Sequence, residues 1–210
     1  MTSPRFRPPQ QHRSQETLDR ILDAAERVLD AKSFSEATLV EIMERAGMTL
    51  GAFYRRFPDK DALLHLMDER FFAELYVRGD AVLEPTRWVG LPISEIVREF
   101  TREAVLVYRE RRGLLRSLFL RARIDPVIQE SARLINAHLI DRLLLLLLPR
   151  VAEIKHPDPR RAIELGYVVL VGAIRETTLF GEVWPSPNGV DGIDLTEELA
   201  RLYLGYLGVV

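Results

Sequence analysis

The sequence predicts an all-α protein, and three observations carry that prediction. Apolar residues recur at helical spacing along most of the 210 residues, and no stretch alternates apolar and polar side chains as a half-buried strand would. The third observation is punctuation: Asp125-Pro126 and Asp158-Pro159 pair a helix cap with Pro at the first helical position, while Thr38/Glu41 and Asp194/Glu197 have capping spacing. About nine helices are expected. They form an N-terminal three-helix, helix-turn-helix bundle and a larger C-terminal helical domain.

Residues 1–15 are rich in Pro, Gln and Arg and lack periodicity, so they read as a flexible arm. A plain tail is the simpler reading; the other is an arm whose Arg5, Arg7 and Arg13 enter a minor groove. A first helix is expected from Ser14 or Gln15 to about Ala31, with Leu18, Ile21, Ala25, Val28 and Leu29 as its apolar stripe. Lys32–Ala37 connects it onward, anchored by Phe34.

The stretch Thr38–Phe57, TLVEIMERAGMTLGAFYRRF, organises the rest. Thr38 and Glu41 open a short helix with Ile42 and Ala46 on one face, and Gly47 ends it where a left-handed residue is needed. A second helix starts at Thr49, buries Phe53 and Phe57, and stops at Pro58. Leu50, Gly51, Ala52, Tyr54, Arg55 and Arg56 then point elsewhere. Two short helices at a Gly-containing turn, the second showing small, aromatic and cationic groups, read as a DNA-binding helix-turn-helix. The domain is expected over residues 16–60. Asp59 caps a fourth helix, a connecting element over 61–82 that carries Leu63, Leu64, Met67, Phe71, Phe72 and Leu75.

Pro85, Gly90 and Pro92 break the pattern, and a second domain over 83–210 follows. Its helices are expected at Ile93–Arg112, stopped by Gly113, then Leu114–Arg123, Pro126 to about Leu148, Arg160–Phe180 and Leu195–Leu207. The six leucines Leu143–Leu148 imply a helix central to the bundle, far too short for a bilayer.

Composition limits the function classes. Net charge is −2, so DNA binding has to come from a local patch, which Arg45, Arg55, Arg56 and Lys60 supply. There is no Cys for a disulfide, thiolate site or nucleophile. Neither a signal-peptide pattern nor a membrane-length apolar run appears, so a cytoplasmic, membrane-free protein is the expectation. His12, His65, His138 and His156 are scattered, and no catalytic order or phosphate loop accompanies them. No enzyme activity, cofactor or metal is expected. Asp61, His65 and Glu69 share a helical face, for which a solvated ion-pair face is the reading preferred over a metal site.

The run AGMTLGAFYRRFPDKDALL, Ala46–Leu64, resembles the signature of the tetracycline-repressor (TetR) family of one-component regulators. The likeness extends over roughly Ala24–Leu64. Met43 departs from the small residue usual between the two helices, and Leu50 from a commonly polar position, which favours an apolar contact such as a thymine methyl. The resemblance implies phosphate contacts from Thr38, Thr49, Tyr54 and Lys60 and base-edge contacts from Leu50, Gly51, Ala52 and Arg55, with Arg56 undecided. It implies a homodimer on a palindromic operator, joined through the last two helices, for which Leu165, Val169, Gly172, Ala173, Leu199, Leu202, Tyr203 and Tyr206 are the candidates. It also implies a small, apolar effector held in the larger domain near Phe100, Tyr108, Phe119, His138, Tyr167 and Trp184, and repression relieved by that effector. The competing reading is an all-helical ligand-binding or adaptor protein that does not read DNA.

Overall fold

The computed structural model describes residues 9–181 and 194–209, with side chains from Gln15 onward. Among them are nine α-helices, two short 3-10 turns and no strand. The chain forms two compact units divided after Met67. That division falls inside one helix, so the expected connecting element is shared between the units.

In the first unit, α1 spans Pro9–Leu29, α2 Leu39–Ala46 and α3 Leu50–Tyr54, and α4 (Lys60–Val82) begins there. The start of α1 corrects the expected arm. The described part of α1 already includes Pro9, a residue tolerated in a first helical turn, where its missing N–H costs no bond. Residues 9–15 are therefore helical, while the side chains of Arg5, Arg7 and Arg13 lie outside the described residues. Ile21, Leu22, Ala25, Val28 and Leu29 of α1 are buried with Ile42, Met43 and Ala46 of α2, Phe53 and Phe57, and Leu63, Leu64 and Met67 of α4. Each large apolar side chain so buried stabilises the unit by about 1.5–3 kcal/mol. Met43 is 1% exposed, so the bulk that replaces a small residue is accommodated in the core.

The second unit contains the rest of α4, α5 (Ile93–Glu110), α6 (Arg112–Arg121), α7 (Pro126–Leu147), α8 (Pro159–Leu179) and α9 (Leu195–Leu207). Asp125, Asp158 and Asp194 accept backbone N–H bonds at the starts of α7, α8 and α9. Gly113 does not stop α5. The break falls at Arg111 (φ −116°, ψ 27°), and Gly113 is buried within α6. The leucine run is also less enclosed than expected, since Leu145 is 56% exposed beside buried Leu143, Leu144, Leu146 and Leu147. A helix packed along one side of a bundle leaves one stripe to solvent.

Helix α8 packs against α5, α7 and α9. The ring of Tyr203 on α9 lies against Gly166 of α8, and its hydroxyl donates to Ile163 O at 2.7 Å. This corrects two dimer-surface candidates, because Leu199 and Tyr203 are covered within the protomer (7% and 3% exposed). They sit four apart and face inward, whereas Leu202 and Tyr206 lie at the edge of that stripe and are 66% and 40% exposed. Leu165, Val169, Leu202 and Tyr206 remain exposed, Ala173 is half-buried, and Gly172 would meet nothing with a Cβ. Among the described residues, no helix is long and apolar enough to cross a membrane.

Candidate nucleic-acid interface and internal cavity

The α2–α3 motif is built from local hydrogen bonds. Thr38 Oγ1 accepts from Glu41 N at 3.2 Å, and Glu41 Oε2 accepts from Thr38 N at 3.0 Å, completing a reciprocal cap. Hydrogen bonds from Lys32 and then Thr38 hold the Glu41 carboxyl down at about 2. We expect Thr38→Ala to cost about 1 kcal/mol of stability. Chemical denaturation checks this, and an unchanged midpoint would show that the cap does not stabilise α2.

At the other end of α2, Gly47 is left-handed (φ 67°), and Met48 N donates back to Met43 O at 2.8 Å. Arg20 of α1 donates from Nη2 to Ala46 O at 2.6 Å, satisfying a carbonyl that the helix end leaves open. Nothing in the local pattern marks Arg20 for this role. Gly47→Ala should cost about 1–2 kcal/mol, because the left-handed conformation penalises a Cβ. That Cβ would also stand 3.1 Å from Arg20 Nη2. Urea unfolding of the variant checks the size, and equal stability would mean the turn relaxes freely.

Thr49 Oγ1 caps α3 by accepting from Ala52 N at 3.3 Å. Phe53 is fully buried and stacks on Phe57 with ring centroids 4.9 Å apart. That buried pair sets the rotation of α3, so that Thr49, Leu50, Gly51, Tyr54 and Arg55 are exposed and Ala52 is half-buried. Tyr54 is 59% exposed and touches Phe53 edge-on at 5.4 Å. Arg56, also exposed, donates from Nη1 to Ala52 O at 3.3 Å. The remaining face is short, bears little side-chain bulk at Gly51 and Ala52, and ends in a phenol and a guanidinium. Those are groups that approach a groove closely and bond phosphates or base edges.

Lys60 is placed differently. Its Nζ donates to the carbonyls of Phe34 and Ala37 and lies over the Phe34 ring at 4.3 Å. Burial lowers its pKa. In the structure it fastens the α1–α2 connection to the start of α4, where Asp59 Oδ1 accepts from Ala62 N at 2.8 Å.

The second unit encloses a cavity of about 80 Å³ among α4, α5, α6, α7 and α8. Phe100, Tyr108, Phe119 and Tyr167 all line it, and α4 contributes Phe71, Phe72, Leu75, Gly79 and Val82 to one wall. His138 is not in the wall, which corrects its expected place there. Its ring nitrogen lies 2.8 Å from Asp80 Oδ1 and its ring packs on Tyr76 at 4.9 Å, because a partially exposed imidazole finds a better partner in a carboxylate than in an apolar space. Trp184 lies outside the described residues. Among the described residues, no three His, Cys, Asp or Glu side chains gather to hold a metal.

Comparison with known proteins adds the following. Residues 21–67 match the family described as "Bacterial regulatory proteins, tetR family". Over 137 residues the chain is 30% identical to the HTH-type transcriptional regulator AcrR of Shigella flexneri, a match covering 62% of each. The match therefore spans less than two thirds of that relative's length. Among solved structures, Salmonella enterica GusR is similar with a TM-score of 0.64 at 20% identity, over 92% of this chain and 96% of that one. A TetR transcription regulator from Haloarcula marismortui is similar with a TM-score of 0.70 at 13% identity, over 92% of this chain and 97% of that one. At such identities these two likenesses speak to the fold.

Proposed function

We propose that this chain, whose residues 21–67 match the tetR family of bacterial regulatory proteins, belongs to that family and is a cytoplasmic, homodimeric repressor that reads a palindromic operator and leaves it when a small molecule binds. The observation that carries the reading is the α3 face. Phe53 is fully buried while Leu50, Gly51, Tyr54 and Arg55 stand clear, a recognition surface on a rooted helix. One such helix covers only a few base pairs, so specific binding calls for two half-sites and a two-fold dimer. The exposed apolar residues Leu165, Val169, Leu202 and Tyr206 on the last two helices support that dimer. The cavity supports an effector, and its α4 wall supports release: a ligand that displaces α4 alters a helix whose first turns belong to the DNA-binding unit.

The test is binding of the purified protein to DNA from its own upstream region, across a salt series and against unrelated competitor. Competitor-resistant binding with two protomers per site is the expected result. Binding no tighter than to competitor, and lost at modest salt, would reduce the interaction to charge alone and favour the adaptor reading.

A further inference from the structure

Among the described residues, the polar side chains that line the cavity of the second unit include one without a hydrogen-bond partner. Tyr108 lies on α5, is 8% exposed and lines the cavity, and its hydroxyl makes no hydrogen bond among the described residues. The other polar groups of the wall are engaged. Tyr167 Oη donates to Asn136 Oδ1 at 2.6 Å, and Asn136 Nδ2 donates to Ala132 O at 2.6 Å. Arg78 Nε donates to Glu103 Oε1 at 2.6 Å, and its Nη1 reaches Glu110 Oε2 at 2.9 Å. Polar groups in protein interiors are satisfied in the great majority of cases, so a hydroxyl without a described partner on the wall of an apolar cavity marks a place for a ligand atom.

The wall also restricts the ligand's charge. Its two ionic side chains, Arg78 and Glu103, are paired with one another and Arg78 also with Glu110. Arg175, which acts on Tyr108, lies over the Phe119 ring and is not among the lining side chains, so the wall itself offers an entering ion no free counter-charge. The wall is rich in aromatic rings: Tyr108 stacks on Phe119 with centroids 6.1 Å apart, and Phe100 lies 6.0 Å from Tyr167. Building on the cavity as the effector site, we infer that it takes an uncharged, largely apolar ring compound with one hydrogen-bond acceptor, such as an aryl ketone, to which the Tyr108 hydroxyl donates. Burial raises the Tyr108 pKa, with Arg175 opposing only in part, so the phenol stays protonated at neutral pH and acts as a neutral donor. At about 80 Å³ the space is smaller than the roughly 150 Å³ that holds benzene, so entry displaces the wall.

The test uses the 210-residue chain and a matched panel of bicyclic probes: aryl ketones, the corresponding hydrocarbons, carboxylates and quaternary ammonium ions. Thermal shift and calorimetry are read on the parent, Tyr108→Phe and the cavity-filling Ala104→Leu. Ketones are expected to bind best, about 3- to 10-fold more weakly to Tyr108→Phe, while hydrocarbons bind parent and Tyr108→Phe alike. Ala104→Leu should weaken both. Tyr108→Phe removes an oxygen that has no partner, so its thermal midpoint in the absence of probe should match the parent. Preferred binding of either charged class, equal ketone affinity in Tyr108→Phe, or no binding from any class would overturn the inference. Ketone binding that depends on Tyr108 yet leaves the operator complex intact supports it and counts against the effector role.

Discussion

Tyr54→Ala and Arg55→Ala are each expected to abolish operator binding while leaving the protein folded. Both side chains stand exposed on the α3 face, and Tyr54 meets only the edge of the Phe53 ring, so stability should move by less than about 0.5 kcal/mol. A contact to a base edge, the role expected of Arg55, contributes about 1–3 kcal/mol, and a hydrogen bond to a charged phosphate, the role expected of Tyr54, about 1.5–3 kcal/mol. A two-fold dimer loses either contact twice, so a loss of roughly 2–6 kcal/mol, at least about 30-fold in affinity, is expected. Tyr54→Phe keeps the ring and deletes the hydroxyl, which separates a phosphate bond from sugar packing. Arg55→Ala separates two roles through its salt dependence. A phosphate contact lowers the slope by about one, whereas a base contact relaxes sequence preference at one position. Parental binding by both alanine variants would remove α3 from recognition.

The second large effect is structural. Gly166→Ala places a Cβ 2.0 Å from Tyr203 Cε2 and 2.4 Å from Cδ2. The Tyr203 ring cannot swing aside cheaply, since its hydroxyl is tied to Ile163 O and the side chain is 3% exposed. Either α8 and α9 separate or Tyr203 leaves its site with loss of burial and a hydrogen bond. Overpacking costs about 1–3 kcal/mol, and a contact this close belongs at the upper end. At about 2–4 °C per kcal/mol for a chain of this size, the thermal midpoint should fall by roughly 6–12 °C. Tyr203→Ala combined with Gly166→Ala should cost less than the sum of the two, because the second change removes the clash. An undiminished midpoint in Gly166→Ala, or strict additivity, would mean that the ring does not rest on Gly166.

The same glycine shows where a reading of the sequence stops. Small residues in the eighth helix signal a close approach, and the approach is real. At Gly166, however, it is made by a side chain of the same protomer, which only the packing of α9 reveals. The expectation that Leu199 and Tyr203 face a partner fails for the same reason. The helix is apolar over more than half its circumference, and periodicity alone does not say which stripe is inside.

Most features made within about four residues along the chain were readable in advance, the stop expected at Gly113 and the arm over residues 9–15 being the exceptions. The Thr38–Glu41 cap, the left-handed Gly47, the Thr49 start, the buried Phe53/Phe57 pair and the Asp caps of α7, α8 and α9 are all short-range, and each was legible from residue type and spacing. The tertiary structure decided the partners that lie far off in sequence. Arg20 reaches a carbonyl 26 residues away, Lys60 fastens to carbonyls 26 and 23 residues back, and His138 turns to Asp80, 58 residues before it. A long or polar side chain can satisfy itself in many ways, and local spacing ranks none of them. The folded chain selects one by what it brings within about 3 Å, and at Tyr108 it brings the hydroxyl no partner among the described residues.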